Sequence, residues 1–300
     1  MALSLTSMSK YSQEYGFKLV SAAVYKGQTT SVVRVVSGKG DTFKIPTISN
    51  TATLQADGCN LSSSATTTLA QATVSLCDIA YVNDMCVKDL RDYYYSEYLP
   101  ASSNSNDTLG EFEDVFFNNI IEKVAVEVSK IFWEGSVSLG CTGIKQLIVN
   151  TAYSASTINI TGSTTSTSNI IASVDNIITN FGYDTINEKA SIWMSPSNYR
   201  KLLVAWRNAN FFSPSDLKKD GMEIPGSINM VARPDAGITS DDYMIGIADN
   251  NLVFGTLNEE DYMNLSAVHD EYRDLLRVKA FWRQGAQILF PSQVVYWYKV

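Results

Sequence analysis

Between residues 32 and 86 the chain carries two stretches of strand-like alternation separated by a long polar segment. In the first, Phe43, Ile45 and Thr47 alternate with Lys44, Pro46 and Ile48. In the second, Leu69, Gln71, Thr73, Ser75 and Cys77 alternate with Thr68, Ala70, Ala72, Val74 and Leu76. A period of two places each set on one face of a strand. Residues 49–68, rich in Ser, Thr, Asn and Ala with Gly58, form the polar end between them. This pattern predicts a long two-stranded hairpin in which Pro46, lacking an N–H, restricts its strand to an edge or a short ladder. A lone two-stranded ribbon is marginal in water. Residues 32–86 are therefore expected not to bury enough of themselves within one molecule and to lie on another copy.

The segment before the ribbon supports an outward role. Residues 1–44 hold Lys10, Lys18, Lys26, Arg34, Lys39 and Lys44 against Glu14 and Asp41, a net charge of +4. The whole chain carries −8, so the remainder carries −12. A basic arm on an acidic body is suited to docking on a neighbouring copy. Its apolar residues, Leu19, Val20, Val24, Tyr25, Val32, Val33, Val35 and Val36, are more than a free solvated tail ordinarily holds. Only 18% of residues are charged, and a surface built of Ser, Thr and Asn suits a protein whose faces meet other proteins. An acidic body does not grip phosphates.

Downstream, residues 84–99 suggest a short helix with Asp84 as its N-cap, ended by Pro100. The strongest helical signal follows. Thr108 and Glu111 form a capping box, and Phe112, Phe116, Ile120, Val124, Val128 and Ile131 recur at spacings of four and three. This predicts a helix within 108–134, a rod of roughly 25 residues running to about Trp133 and about 37 Å long at 1.5 Å per residue, ended by Gly135 and Gly140. After a Ser/Thr-rich linker at 153–168, a helix with Ile170, Val174, Ile177, Ile178 and Phe181 is followed by a strand at 190–194. A helix opening on Ser195 and Pro196 comes next. Strands at 228–232, 243–248 and 251–256 complete an α/β unit. The end of the chain returns to β-structure at 265–269, 275–284 and 287–298.

Patterns for common chemistries are missing. His269 is the sole histidine, and it reads as an ordinary residue at a strand end rather than part of a nucleophilic triad. Cys59, Cys77, Cys86 and Cys141 contain no C-x-x-C pair, so neither a zinc site nor a disulfide framework is expected. They read as buried free thiols of a reducing cytoplasm. Residues 37–42 have the flavour of a phosphate loop without its spacing and read as a turn. The pairs Glu259/Glu260 and Asp241/Asp242 read as solvated loop carboxylates, since nothing desolvates either member. The aromatic groups at Tyr93-Tyr94-Tyr95, Trp282 and Trp297 lack the interleaved cations of a base-stacking platform and read as packing. Neither a signal peptide nor a membrane span is expected. No catalytic residue, metal ligand or cofactor is assigned, and the chain is not read as an enzyme.

The order of parts, basic arm, polar-tipped hairpin, capped long helix, α/β unit and closing strands, resembles the major capsid proteins of tailed phages, the Hong Kong 97-type fold. Local words are similar too. Phe132-Trp133-Glu134-Gly135 with Gly143-Ile144 looks like the family's turn out of its spine helix. Ile192-Trp193-Met194-Ser195-Pro196, followed by Tyr199, Leu202 and Leu203, looks like its axial strand and helix. Tyr243-Met244-Ile245-Gly246 and Asn251-Leu252-Val253-Phe254-Gly255-Thr256 resemble the strand pair leaving that domain. Phe281, Gly285 and Pro291-Ser292-Gln293-Val294-Val295 fit its closing strands.

The resemblance implies an α+β fold with an N-terminal arm at 1–31, an extended hairpin loop at 32–86 and a peripheral domain at 87–140 with the spine helix 108–134. An α/β axial domain at 141–256 and peripheral closing strands at 257–300 complete it. It implies a subunit that self-assembles as hexamers and pentamers into an icosahedral shell around phage DNA. The shell would be built in the host cytoplasm, with portal, scaffold and decoration proteins as further partners and only weak, non-specific contact with the DNA. No scaffolding segment precedes the arm, which implies a separate scaffold protein, and no motif carries over the Lys–Asn cross-link of some relatives. The residues expected at inter-subunit contacts are Lys10, Lys18, Lys26, Arg34, Phe43, Ile45, Leu54, Leu61 and Leu69. Rival readings are an encapsulin-like compartment shell, an acidic α/β enzyme acting through carboxylates, and a surface-layer or adhesin protein.

Overall fold

The computed structural model describes residues 29, 32–38, 40–51, 66–86, 108–150, 152–181, 189–209, 221–227, 229–257, 264–270, 272–273 and 275–300. Two sheets organise them. The first is five-stranded: β1 (Arg34–Gly38), β4 (Cys77–Cys86), β10 (Leu252–Leu257), β11 (Asn264–Asp270) and β12 (Leu275–Ile288). The strand β12 is its axis. Its residues 275–284 pair antiparallel with β4 on one edge, while β11 and then β10 pair along the other. Strand β1 adds parallel to β10. The second sheet, six-stranded, has the order β5 (Ile158–Gly162), β13 (Val294–Lys299), β9 (Tyr243–Ala248), β6 (Ala190–Met194), β8 (Met230–Pro234), β7 (Met222–Glu223).

The long helix α1 spans Thr108–Glu134, as its stripe predicts, and its 27 residues give a rod of about 40 Å. Phe117, Ile120, Ile121, Val124, Val128, Ile131 and Phe132 are buried against the five-stranded sheet, whose alternate residues Leu276, Val278, Ala280 and Trp282 face it. Each such aliphatic or aromatic side chain contributes about 1.5–3 kcal/mol by leaving water. The second sheet is covered by α3 (Ile170–Asn180) and α4 (Pro196–Asn208), through Ile170, Val174, Ile177, Leu202 and Trp206. Ser195 caps α4 by accepting from the Asn198 amide at 3.1 Å, with Pro196 at the first helical position. A short helix, α2 (Ile144–Asn150), follows the turn out of α1.

That turn depends on glycine. Gly135 adopts φ +75°, and a Cβ on Gly143 would lie 2.2 Å from the Gly135 nitrogen, so the two backbones touch where a side chain would hold them apart. Nearby, the loop after β8 rests on the backbone of α1: a Cβ on Gly237 would lie 2.3 Å from the Ser129 carbonyl carbon. The same loop buries Asp235, whose carboxylate accepts from the hydroxyls of Thr29 and Ser129 and from the Gly237 amide at 2.7 Å. The Trp133 indole donates to the Thr29 hydroxyl at 2.9 Å. This socket holds Thr29 against the end of α1 and the loop after β8.

Several expectations are corrected. Asp84 lies in strand β4 and not at a helix N-cap, because its register opposite Arg277 is set by ten consecutive pairings with β12. Gln287 and Ile288 extend β12, and the last strand begins only at Val294, after a turn at Pro291–Gln293. Strand β10, expected with the axial unit, joins the five-stranded sheet, and β13, expected to close the peripheral unit, joins the six-stranded one. Two of the four strands in residues 32–86, β1 and β4, are hydrogen bonded within the chain's own main sheet. Residues 32–86 therefore bury more of themselves in one molecule than their composition suggests. Gly237→Ala is expected to destabilise the fold by about 2–3 kcal/mol, because the Ser129 and Lys130 atoms it would meet are all backbone; urea unfolding measures it.

Candidate functional site

The ribbon consists of β2 (Thr42–Thr51) and β3 (Thr66–Ser75), paired antiparallel over ten positions as a separate two-stranded sheet. Its root is firmly held. Only Leu76 separates β3 from β4, and its amide donates to the Asp41 carbonyl at 2.8 Å. Arg283 of β12 sits between Asp41, at 2.7 Å, and Asp78 of β4. The Gln287 amide donates to the Thr73 carbonyl at 2.9 Å. Phe43, Ile45, Val74 and Leu76 pack with Val253 beneath them in a small cluster of their own. Gly255 and Gly285 make room, since a Cβ on either would lie within 2.5 Å of Val74 or the Ser75 carbonyl.

Farther from the root the two faces diverge. On the outer face Lys44, Pro46 and Ile48 stand opposite Thr73, Gln71 and Leu69. Ile48 is 58% exposed and its direct cross-strand partner Leu69 is 75% exposed. An apolar pair held on a rigid ribbon and left in water is an unfilled contact, and covering the two residues would contribute about 1–2 kcal/mol each. A second apolar area occupies the side of the five-stranded sheet opposite α1, where Val82, Phe281 and Val268 are about half exposed. Ion pairs frame it. Arg277 meets Asp84 in a two-pronged contact of 2.6 Å per prong, and this hydrogen bond holds the Asp84 carboxyl below its usual range.

The expected contact residues fall into three groups. Leu69 lies on the outer face, and Arg34 is exposed on β1. Ile45 is buried and Phe43 half-buried in the cluster at the ribbon root, so their apolar surface is used within the chain rather than offered to a neighbour. Lys10, Lys18, Lys26, Leu54 and Leu61 lie outside the described residues. In α1 Ile120, Val124, Val128 and Ile131 are buried, and Phe112 and Phe116 belong to the helix with side chains outside the described residues. Ile48 was legible in the same alternation as Leu69. Val82, Val268 and Phe281 were not, because their exposure depends on which face of the sheet receives α1.

One constellation has the residue types of an active site. Asp241 accepts from the hydroxyls of Ser195 and of Ser197, the latter at 2.7 Å, and from Lys201 at 2.9 Å. Partial burial tends to raise its carboxyl, but the hydrogen bonds from Ser195, Lys201 and Ser197 outweigh that and hold it below the ordinary value. Both hydroxyls are spent on it, and Lys201 is neutralised by the same group. The arrangement ties the start of α4 to the loop before β9. His269 lies on β11 opposite Leu276, with its side chain outside the described residues. Among the described residues no three or more His, Cys, Asp or Glu side chains are grouped to hold a metal. Among them, too, no helix is long and apolar enough to cross a membrane.

Cysteine usage departs from expectation. Cys77, at the ribbon root, and Cys141, just past the end of α1, form a disulfide across 64 residues, with Cα atoms 5.3 Å apart. Cys86 is a free thiol but exposed, not buried. Short-range spacing carries no sign of a bond that tertiary folding alone brings together.

No protein-family model matches the chain, and no curated protein matches it. Solved structures do. A chain from the capsid of an empty GTA particle shares 13% identity at a TM-score of 0.58, over 93% of this chain and 90% of that one. A chain from the satellite phage P4 procapsid shares 12% identity at 0.58, over 94% and 89%. The crystal structure of a virus-like particle from Pyrococcus furiosus shares 12% at 0.54, over 95% and 98%. The chain thus has the α+β fold of phage capsid subunits along nearly its whole length.

Two outcomes are expected of this site. Leu69→Ser should leave the melting temperature of the free subunit within about 1 °C, since Leu69 touches water, whereas Val74→Ala should destabilise it by about 1–2 kcal/mol; differential scanning fluorimetry compares them. For Asp241 the folded value is lowered, so its stabilisation is present above the ordinary 3.8 and disappears as the pH falls through the lowered folded value. Asp241→Asn should accordingly flatten the acid limb of the stability–pH curve there and leave its neutral limb parallel to the parent's.

Proposed function

We propose that this chain is a major capsid protein, a structural subunit that assembles with copies of itself, as hexamers and pentamers, into an icosahedral shell enclosing phage DNA. The observation that carries the reading is the likeness to capsid chains over about nine-tenths of both partners, joined to a rigidly rooted ribbon whose outer face ends in the uncovered pair Ile48 and Leu69. The ribbon lies over an adjacent subunit. The basic arm, with Lys10, Lys18 and Lys26, docks on the acidic body of another copy, and Arg34 and Leu69 take part from the described surface. Such contacts are heterologous and close by rotation into rings and a shell. Each is modest, but several per subunit act together as one multivalent association. The acidic body leaves packaged DNA mobile, because it offers few phosphate contacts. The place of the chain is the virion, after assembly in the host cytoplasm, and a portal, a separate scaffold and decoration proteins are its further partners.

The likeness to the Pyrococcus furiosus virus-like particle supports a second shell reading, an encapsulin-like compartment holding a protein cargo. Particle contents distinguish the two, nucleic acid for a capsid and a cargo protein for a compartment.

Purified full-length chain should sediment in the megadalton range and show closed shells in electron micrographs. Removing residues 50–64 should yield soluble subunits and no shells. A parent protein that stays at tens of kilodaltons under all assembly conditions overturns the shell reading. Full-size particles from the deletion overturn the role given to the ribbon.

A further inference from the structure

We propose that Cys77 and Cys141 form an oxidation-driven clamp on the root of the ribbon, open as two thiols in a reducing compartment and closed once the protein meets a disulfide oxidant. This rests on the shell reading, in which the ribbon is the part that reaches a neighbour. The placement of the bond carries the inference. Cys77 opens β4 and follows Leu76, the single residue between β3 of the ribbon and β4 of the main sheet. Cys141 closes the turn out of α1, where it exchanges backbone hydrogen bonds with Ser136 at 2.8 and 2.9 Å, next to the Gly135–Gly143 contact. The bond therefore joins the hinge of the ribbon to the end of the long helix, two elements 64 residues apart. Beside it the hinge is held by the Leu76–Asp41 and Gln287–Thr73 hydrogen bonds, by the apolar cluster around Val74, and by the Arg283 ion pairs with Asp41 and Asp78, whose carboxylates are 81% and 75% exposed and open to screening by salt.

The chemistry needs a small-molecule disulfide of the glutathione type. Cys77 is half-buried and Cys141 is 3% exposed, so Cys77 is the sulfur such a molecule reaches. The Cys77 thiolate attacks the small disulfide, forming a mixed disulfide and releasing one small thiol. Cys141 then attacks the Cys77 sulfur and expels the second. The chain gives up two hydrogens and two electrons, which the small disulfide takes up as two thiols. With both sulfurs on well-packed elements, closure requires no rearrangement of the fold, and the subunit assembles before it is locked. A shell leaving a reducing cytoplasm for an oxidising medium gains rigidity at each ribbon root.

The test uses full-length protein prepared under reductant and then treated with glutathione disulfide, beside a Cys77→Ser/Cys141→Ser double variant that retains the other two cysteines. Non-reducing digestion and mass spectrometry should find the peptides of Cys77 and Cys141 joined after oxidation and separate before it. Oxidation should raise the melting temperature of the parent by about 5–10 °C and slow amide exchange at residues 72–80. The double variant should respond to neither oxidant nor reductant. Absence of the joined peptides after oxidation, or equal responses in parent and double variant, overturns the clamp. Sedimentation of the same samples reports separately on shells. If particles never form, the shell reading fails, and the linkage and melting shift of the free subunit still decide whether the clamp closes.

Discussion

Strand β12 is the constraint from which the rest of the architecture follows. Fourteen residues long, it is hydrogen bonded on both edges, to β4 along one and to β11 and β10 along the other. One of its faces receives the long helix through Leu276, Val278, Ala280 and Trp282. The other presents Arg277 and Arg283 to carboxylates on β4 and at the ribbon root. A single strand thereby fixes the helix, the emergence of the ribbon and the side of the sheet left uncovered. Because both its edges are occupied, a one-residue slip would exchange its buried and exposed sets and break three ladders at once.

The ribbon reconciles two demands on one element. Its root half is an ordinary part of a folded subunit, with Val74 fully buried and Ile45 nearly so. Its outer half is a ladder of backbone hydrogen bonds carrying Ile48 and Leu69 into solvent. Had the whole ribbon been buried, it would have had nothing to offer a neighbour. Had none of it been, its direction would be unset, and each contact would first bear the entropy of orienting it. Rooting it on β12 removes that cost beforehand.

Much of this arrangement was legible in the sequence, and the reason differs by element. The 27-residue helix was readable because Ile120, Val124, Val128 and Ile131 repeat at its period and its ends carry a cap and glycines. The ribbon was readable from two alternating runs, and the order of parts pointed to the fold. Sheet membership was not readable. β10 and β13 are similar apolar strands, and which sheet each joins is settled by long-range pairing, Leu252 with Ile288 in one case and Val295 with Gly246 in the other. Asp84 looked like a helix cap because Asp before an apolar run is a local signal, and a ten-pair ladder to a strand nearly two hundred residues away overrode it. The Cys77–Cys141 bond and the half-buried rather than free state of Phe43 have the same origin. Of the exposed apolar surface, Leu69 and Ile48 could be found from alternation, while the patch of Val82, Phe281 and Val268 exists only once the helix has chosen its side.

The passage from β3 into β4 through Leu76 alone has a mechanical consequence. A pull passed through Leu76 along the line of β4 loads its ten pairings with β12 side by side. Such a ladder must break its bonds together, as in shear, whereas a strand peeled from its end yields them one after another. A sheet loaded in this way resists tension far better than its equilibrium stability alone suggests. The ribbon is thus anchored to bear tension.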